Sequence, residues 1–207
     1  YVFLNGLWGT LWLAFVTVLF GTILGTLVAL LRLSRCKVFQ ALTGAYIEVL
    51  RGTPILLQLY FFWLLLPKVL PFKVSDTACI IVALVINSSS YVAEVIRAGI
   101  QAVDKGQMEA AKSLGLSNKN AMRYVILPQA VKNILPALGN EFVVMVKETS
   151  LASVFFVGEL MTSYKTVQST TFLAIPSLTI VGIIYFILNF ILTKILKVVE
   201  RRLQASD

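Results

Sequence analysis

The chain has 207 residues, a formal net charge of +8 and 58% apolar residues, whereas soluble domains hold roughly 45–50%, so a soluble globular domain is excluded. It has no histidine and two widely separated cysteines, Cys36 and Cys79, with no CxxC. That excludes a Ser/His/Asp set, argues against any metal site and leaves both cysteines as small packing residues.

No charge precedes Arg32. A stretch of that length exceeds the roughly 20 residues needed to cross a bilayer core and is too long for the apolar region of a cleaved signal peptide. It predicts a first span over 7–31, with Gly21 and Gly25 in GTILG at a spacing that lets two helices approach closely. The basic segment RLSRCK (32–37) follows. Short basic loops stay in the cytoplasm, which places the N-terminus outside.

Residues 38–47 are apolar and lead to Glu48 and Arg51, three apart and able to pair on one helix face. In RGTP (51–54), Pro54 lacks an N–H and disfavours helical geometry at Thr53, so a helix break is expected near 52–54 and a second span to about 66. An external loop at 67–74 precedes a third span over 75–98. Its centre is polar: Asn87, Ser88, Ser89 and Ser90, then Tyr91 and Glu94. Polar groups at membrane depth must face other helices or a wet cavity.

Residues 101–132 interrupt the apolar pattern. Asp104 can cap a helix, with Gln107 closing a capping-box-like pair. Gly115 suits the left-handed residue that ends that helix, with Leu116 packing back on its last turn. Ser117 can cap a second helix through Ala121, Met122 and Val125, and Pro128 and Pro136 stand where the next span begins. Lys112, Lys119 and Arg123 in a helix-turn-helix raise DNA as a ligand, but two flanking spans would hold the segment against the bilayer, so nucleic acid is set aside as a partner. A fourth span is expected over 133–147. KETSLASVFFVGELMTSYK then reads as an external connection, partly re-entrant or lying on the membrane surface, and a fifth span covers 166–193. The basic tail should be cytoplasmic. The chain 1–207 thus reads as one all-α membrane domain with about five transmembrane helices, and its inner segments hold most of the lysines and arginines.

One pattern is specific. Glu109, Ala110 and Ala111, then Gly115, then Val125, Leu127 and Pro128 resemble the EAA loop of ATP-binding-cassette importer permeases, with valine in place of the usual isoleucine. IEVLRGTPILLQL, YVAEVIRAGIQAVDKGQ, ILPQAVKNILPALGNEF and KETSLASV are similar to the polar amino-acid uptake branch, which serves histidine, glutamine and arginine. The resemblance implies a type I importer permease fold with a cytoplasmic coupling helix (loop about 101–128). It implies Glu109, Ala110, Ala111, Gly115, Leu127 and Pro128 as the residues that couple to an ATPase. The implied partners are an ATPase subunit dimer, a second permease subunit (the same chain or another), an extracytoplasmic amino-acid-binding protein and the lipid of a bacterial inner membrane. No GxxxxGK[ST] phosphate loop occurs here, so ATP and Mg belong to the ATPase and this chain needs no cofactor of its own.

Intramembrane polar residues are pathway candidates: Gln58, Asn87, Ser88, Tyr91, Glu94, Asn140 and Glu141. Structural roles compete with that reading. Glu94 can pair with Arg97, Ser88–Ser90 can bond between helices, and Glu141 can be a buried carboxylate beside a second subunit or Lys147. A bound amino acid needs a partner for its ammonium, which Glu141 could supply. Tyr60, Phe61, Phe62, Trp63, Trp8 and Trp12 are expected to face lipid or anchor spans at an interface. The rival function is an ATP-independent secondary transporter or channel for small polar solutes.

Overall fold

A computed structural model describes residues 1–204, which form helices and turns with no strand among them. The helices are α1 (Val2–Arg32), α2 (Lys37–Gly52), α3 (Ile55–Val69), α4 (Asp76–Gln101), α5 (Lys105–Ser113), α6 (Asn118–Ala121), α7 (Leu127–Glu148), α8 (Leu160–Thr171) and α9 (Ala174–Gln204). A π-helical turn, Met122–Ile126, joins α6 to α7, and a 3₁₀ segment, Thr149–Phe155, follows α7.

The centre is α4. In its most apolar window 56% of residues are buried, against 11% in α9, so α4 is the axis and α9 lies at the rim. Small residues let α1 pack along it. A Cβ on Gly21 would stand 2.8 Å from Ser88 Oγ, and one on Gly25 would stand 2.7 Å from the Ser89 carbonyl oxygen. GTILG is therefore a close-packing seam, as expected, and it covers Ser88 and Ser89, both fully buried.

Among the described residues, α1, α4 and α9 are long and apolar enough to cross a membrane; the α2–α3 pair, bent by 111°, makes a fourth crossing if it is one broken span. The bend falls at Thr53–Pro54, where the sequence places it. Gln58 holds it: its Nε2 donates to the Leu50 carbonyl at 2.7 Å, the Thr53 carbonyl at 3.2 Å and Thr53 Oγ1 at 2.8 Å. The expected fourth span, α7, has the length of a crossing at 22 residues but a less apolar composition than α1, α4 and α9, because Lys132, Glu141, Lys147 and Glu148 dilute it. The expected fifth span starts later than read. Residues 160–171 form a separate helix that ends at Phe172, whose φ is 60°, and the apolar helix begins at Ala174.

The connection from α7 to α9 packs rather than floats. Glu159 is fully buried and caps α8, accepting the Met161 and Thr162 N–H groups at 2.7 and 2.6 Å. Tyr185 on α9 donates its hydroxyl to the same carboxylate at 3.1 Å, and Thr10 on α1 accepts the Leu160 N–H at 3.1 Å. One carboxylate thus ties α9 to the start of α8, and Thr10 ties α1 to the same turn. Burial pushes the Glu159 carboxyl above the usual carboxylate range, against the pull of its hydrogen bonds.

Three local expectations change. Glu48 does not pair with Arg51, which lies 3.8 Å from Glu94 instead. Cys36 is exposed at the start of α2 rather than packed, while Cys79 is buried. Trp63 does more than anchor. It donates to Asp76 Oδ1 at 2.7 Å and, like Tyr60, packs against Phe155.

Candidate functional site: an acidic cavity and a surface helical loop

A cavity of about 310 Å³ opens between the α2–α3 break, α4 and α7, lined by Thr53, Pro54, Ile55, Asn87, Tyr91, Glu141, Val144, Met145 and Glu148. Its size falls within the roughly 300–1,000 Å³ usual for small-molecule sites. The break supplies one wall because Pro54 turns the chain there, α4 supplies Asn87 and Tyr91 one turn apart, and α7 supplies the acids. Glu141 and Glu148 are seven residues apart, hence on one helix face and separated by roughly 10 Å of rise. Among the described residues no lysine or arginine lines the cavity.

Behind the lining runs a hydrogen-bonded wall. Asn87 Nδ2 donates to Gln58 Oε1 at 2.8 Å, and Ser88 Oγ donates to Glu141 Oε1 at 3.1 Å. Glu141 is only 7% exposed. Its carboxyl group is held at one oxygen, and Glu148 is a second acid in the lining.

Of the seven pathway candidates, Asn87, Tyr91 and Glu141 line the cavity, and Gln58 and Ser88 bond to lining residues. Glu94 does not line it. Arg97 engages both its oxygens, at 3.0 and 2.7 Å, and it lies one turn further along α4 than Tyr91. The stack of Arg51 over the Tyr91 ring, 5.2 Å from its centroid, lies beside it. Asn140 is exposed and absent from the lining. Sequence reasoning missed Glu148 and Thr53. Glu148 follows Lys147 and reads as a charge at a span end; its spacing of two turns from Glu141 was the available signal. Thr53 was visible only as the residue before a proline.

The second feature is the polar segment. Asp104 Oδ1 accepts the Gly106 N–H at 2.7 Å, which starts α5. Gly115 has φ 83°, and the Leu116 N–H returns to the Ala111 carbonyl at 3.1 Å. That is the Schellman end expected at this glycine. Ser117 Oγ accepts the Asn120 N–H at 3.3 Å and caps α6. The Gln107 side chain does not close a capping box; it accepts from Gln129 at 3.2 Å. Ala111 faces inward at 4% exposure, while Glu109, Ala110, Leu127 and Pro128 are exposed. The buried side packs Val103, Ile126, Ala130 and Ile134 into one cluster joining α5 to the base of α7. The outer side exposes Glu109 and Ala110 together with Leu114 and Tyr124.

The family described as binding-protein-dependent transport system inner membrane component matches residues 17–205. The chain is 41% identical over 204 residues to the arginine transport system permease protein ArtQ of Bacillus subtilis, covering 99% of this chain and 93% of that protein. It is 34% identical over 196 residues to the glutamine transport system permease protein GlnP of Escherichia coli, covering 94% and 90%. Among solved structures it superposes on a crystal structure of an amino acid ABC transporter with histidines, with a TM-score of 0.93, 45% identity and 97% and 94% of the two chains covered. An inward-facing MetNI methionine ABC transporter shares the fold, with a TM-score of 0.82 at 18% identity and 98% and 96% coverage.

Proposed function

The chain belongs to the family of binding-protein-dependent transport system inner membrane components, and on that premise we propose that it is the membrane subunit of an ATP-driven importer of cationic amino acids. It sits in a bacterial inner membrane with its N-terminus outside and its C-terminus in the cytoplasm. ATP and Mg are bound by a separate ATPase pair that docks on α5 through Glu109 and Ala110. A second permease subunit completes the passage, and an external binding protein delivers the substrate.

The substrate class rests on one observation: a cavity with Glu141 and Glu148 on its α7 wall and no basic lining residue among those described. Two carboxylates about two helical turns apart suit a ligand positive at both ends, the α-ammonium and a side-chain cation. Asn87 and Thr53 stand opposite as polar, uncharged partners. The likeness to an arginine permease supports the same class. Only a difference in binding between two states can drive the cycle, so the ATPase must favour one arrangement of α5 and α7 over another.

The test is uptake by the permease reconstituted with its ATPase and binding protein. Uptake of labelled arginine should require ATP. Unlabelled lysine or arginine added with the label should compete at concentrations about tenfold below glutamine, the effect of about 1.4 kcal/mol of selectivity. Equal competition would remove the cationic assignment. ATP-independent uptake would return the secondary-transporter reading.

A further inference from the structure

Gln129, in the first turn of α7, bonds in two directions. Its Nε2 donates to the Val125 carbonyl at 3.0 Å and to Gln107 Oε1 at 3.2 Å. Val125 lies in the π-helical turn Met122–Ile126, where the Leu127 N–H reaches back to the Met122 carbonyl. The next residue, Pro128, has no N–H to contribute. The junction between the surface loop and α7 is therefore short of backbone donors, and π turns of this kind recur at functional sites. The Gln129 amide adds a donor at that junction and at the same time reaches α5, two residues before Glu109.

Beyond Gln129, α7 stays helical to Glu141, roughly 18 Å along the axis, with Pro136 inside it. A push on α5 can reach the acidic cavity by this route only if the junction does not yield. Apolar contacts of Met108, Met122 and Ile126 close the gap beneath, but such contacts are non-directional and let helices slide.

We propose that Gln129 is a positioning residue for coupling: its side chain clamps the proline-interrupted start of α7 to Gln107 on α5, so that displacement of α5 moves the α7 carboxylates instead of being absorbed in the π turn. The clamp rests on the reading of α5 as the ATPase-docking helix.

The measurement is amino acids imported per ATP hydrolysed, in vesicles holding the assembled permease and ATPase with binding protein supplied. Gln129→Ala and Gln107→Leu should each lower the ratio about three- to tenfold, the range for one lost hydrogen bond. The double variant should fall no further than twofold below the worse single one, because both remove the same contact. Gln107→Glu keeps an acceptor oxygen and should stay within about twofold of the native ratio. A native ratio for Gln107→Leu, or a Gln107→Glu ratio as low as that of Gln107→Leu, overturns the clamp. Because Gln107 is exposed, its two variants decide the matter even if Gln129→Ala fails to assemble. Glu109→Lys tests the docking reading separately. It should insert yet uncouple hydrolysis from uptake, and normal coupling there would sink that reading itself.

Discussion

At the scale of single residues, the polar side chains of the membrane segments divide by what already satisfies them. Gln58 spends its amide hydrogens on the Leu50 and Thr53 carbonyls and Thr53 Oγ1, and its oxygen on Asn87. It braces the helix break. Glu94 is held at both oxygens by Arg97. Glu141 differs: it is buried, it accepts only from Ser88, and it faces the cavity. Glu141→Gln preserves the shape and an acceptor for Ser88 while removing the charge. Affinity for lysine or arginine is expected to fall about ten- to a hundredfold, the range for a hydrogen bond to a charged group. Affinity for glutamine should change less than about threefold. Competition curves for the three ligands on the reconstituted transporter measure this, and an unaltered cationic preference would take Glu141 out of the pathway. The sequence exposes these residues as a set, because polar groups stand out in apolar spans. It does not sort them, since the sorting depends on bonds between residues 29 and 53 positions apart. Gln58 had one local signature, an amide four residues beyond a helix-breaking proline.

At the scale of elements, the α1–α4 seam sets where the cavity wall stands, because Ser88 bonds Glu141 on one side and meets Gly21 on the other. A side chain at Gly25 would meet the Ser89 carbonyl oxygen, a backbone atom that cannot turn aside. Gly25→Val should therefore cost about 1–3 kcal/mol, the usual range for overpacking. Gly52→Ala is the control, since no atom lies within 4 Å of the added Cβ. Thermal unfolding in detergent should show a lower midpoint for Gly25→Val than for Gly52→Ala. Equal midpoints would contradict close packing at this seam. Element type was legible wherever a local rule acted: the proline break at 54, the glycine end at 115, the serine cap at 117. Boundaries were lost where tertiary contacts took over. Residues 160–165 read as the end of the external connection and 166–171 as the start of the fifth span, yet the Glu159 cap and Tyr185 draw 160–171 into a separate helix. Residues 127–132 read as the end of the surface loop, yet they form the first turns of α7.

At the scale of the whole molecule, orientation decides whether the coupling reading can stand. The C-terminal part of α1 (Val28, Ala29) packs with Ile47 on α2 and Ala93 on α4, and the end of α4 packs with the α5–α7 cluster. The basic segment at 32–37 and α5 thus share one end of the bundle. The α8 residue Ser163 donates to the Val2 carbonyl at the opposite end of α1. The positive-inside rule is the ground on which the first end is proposed to be cytoplasmic. Cys36, the exposed native thiol, reports on that end, and buried Cys79 should stay silent in the folded protein. A membrane-impermeant maleimide is expected to label Cys36 in inverted vesicles and not in right-side-out ones. In a Cys36→Ser background, the exposed Thr170→Cys site near the end of α8 should show the reverse pattern. The two ends are fixed to each other by α1, so the labels must disagree in side if α1 crosses the bilayer. Labelling of Cys36 from outside would carry α5 outside with it, away from cytoplasmic ATP, and no docking role for Glu109 could survive.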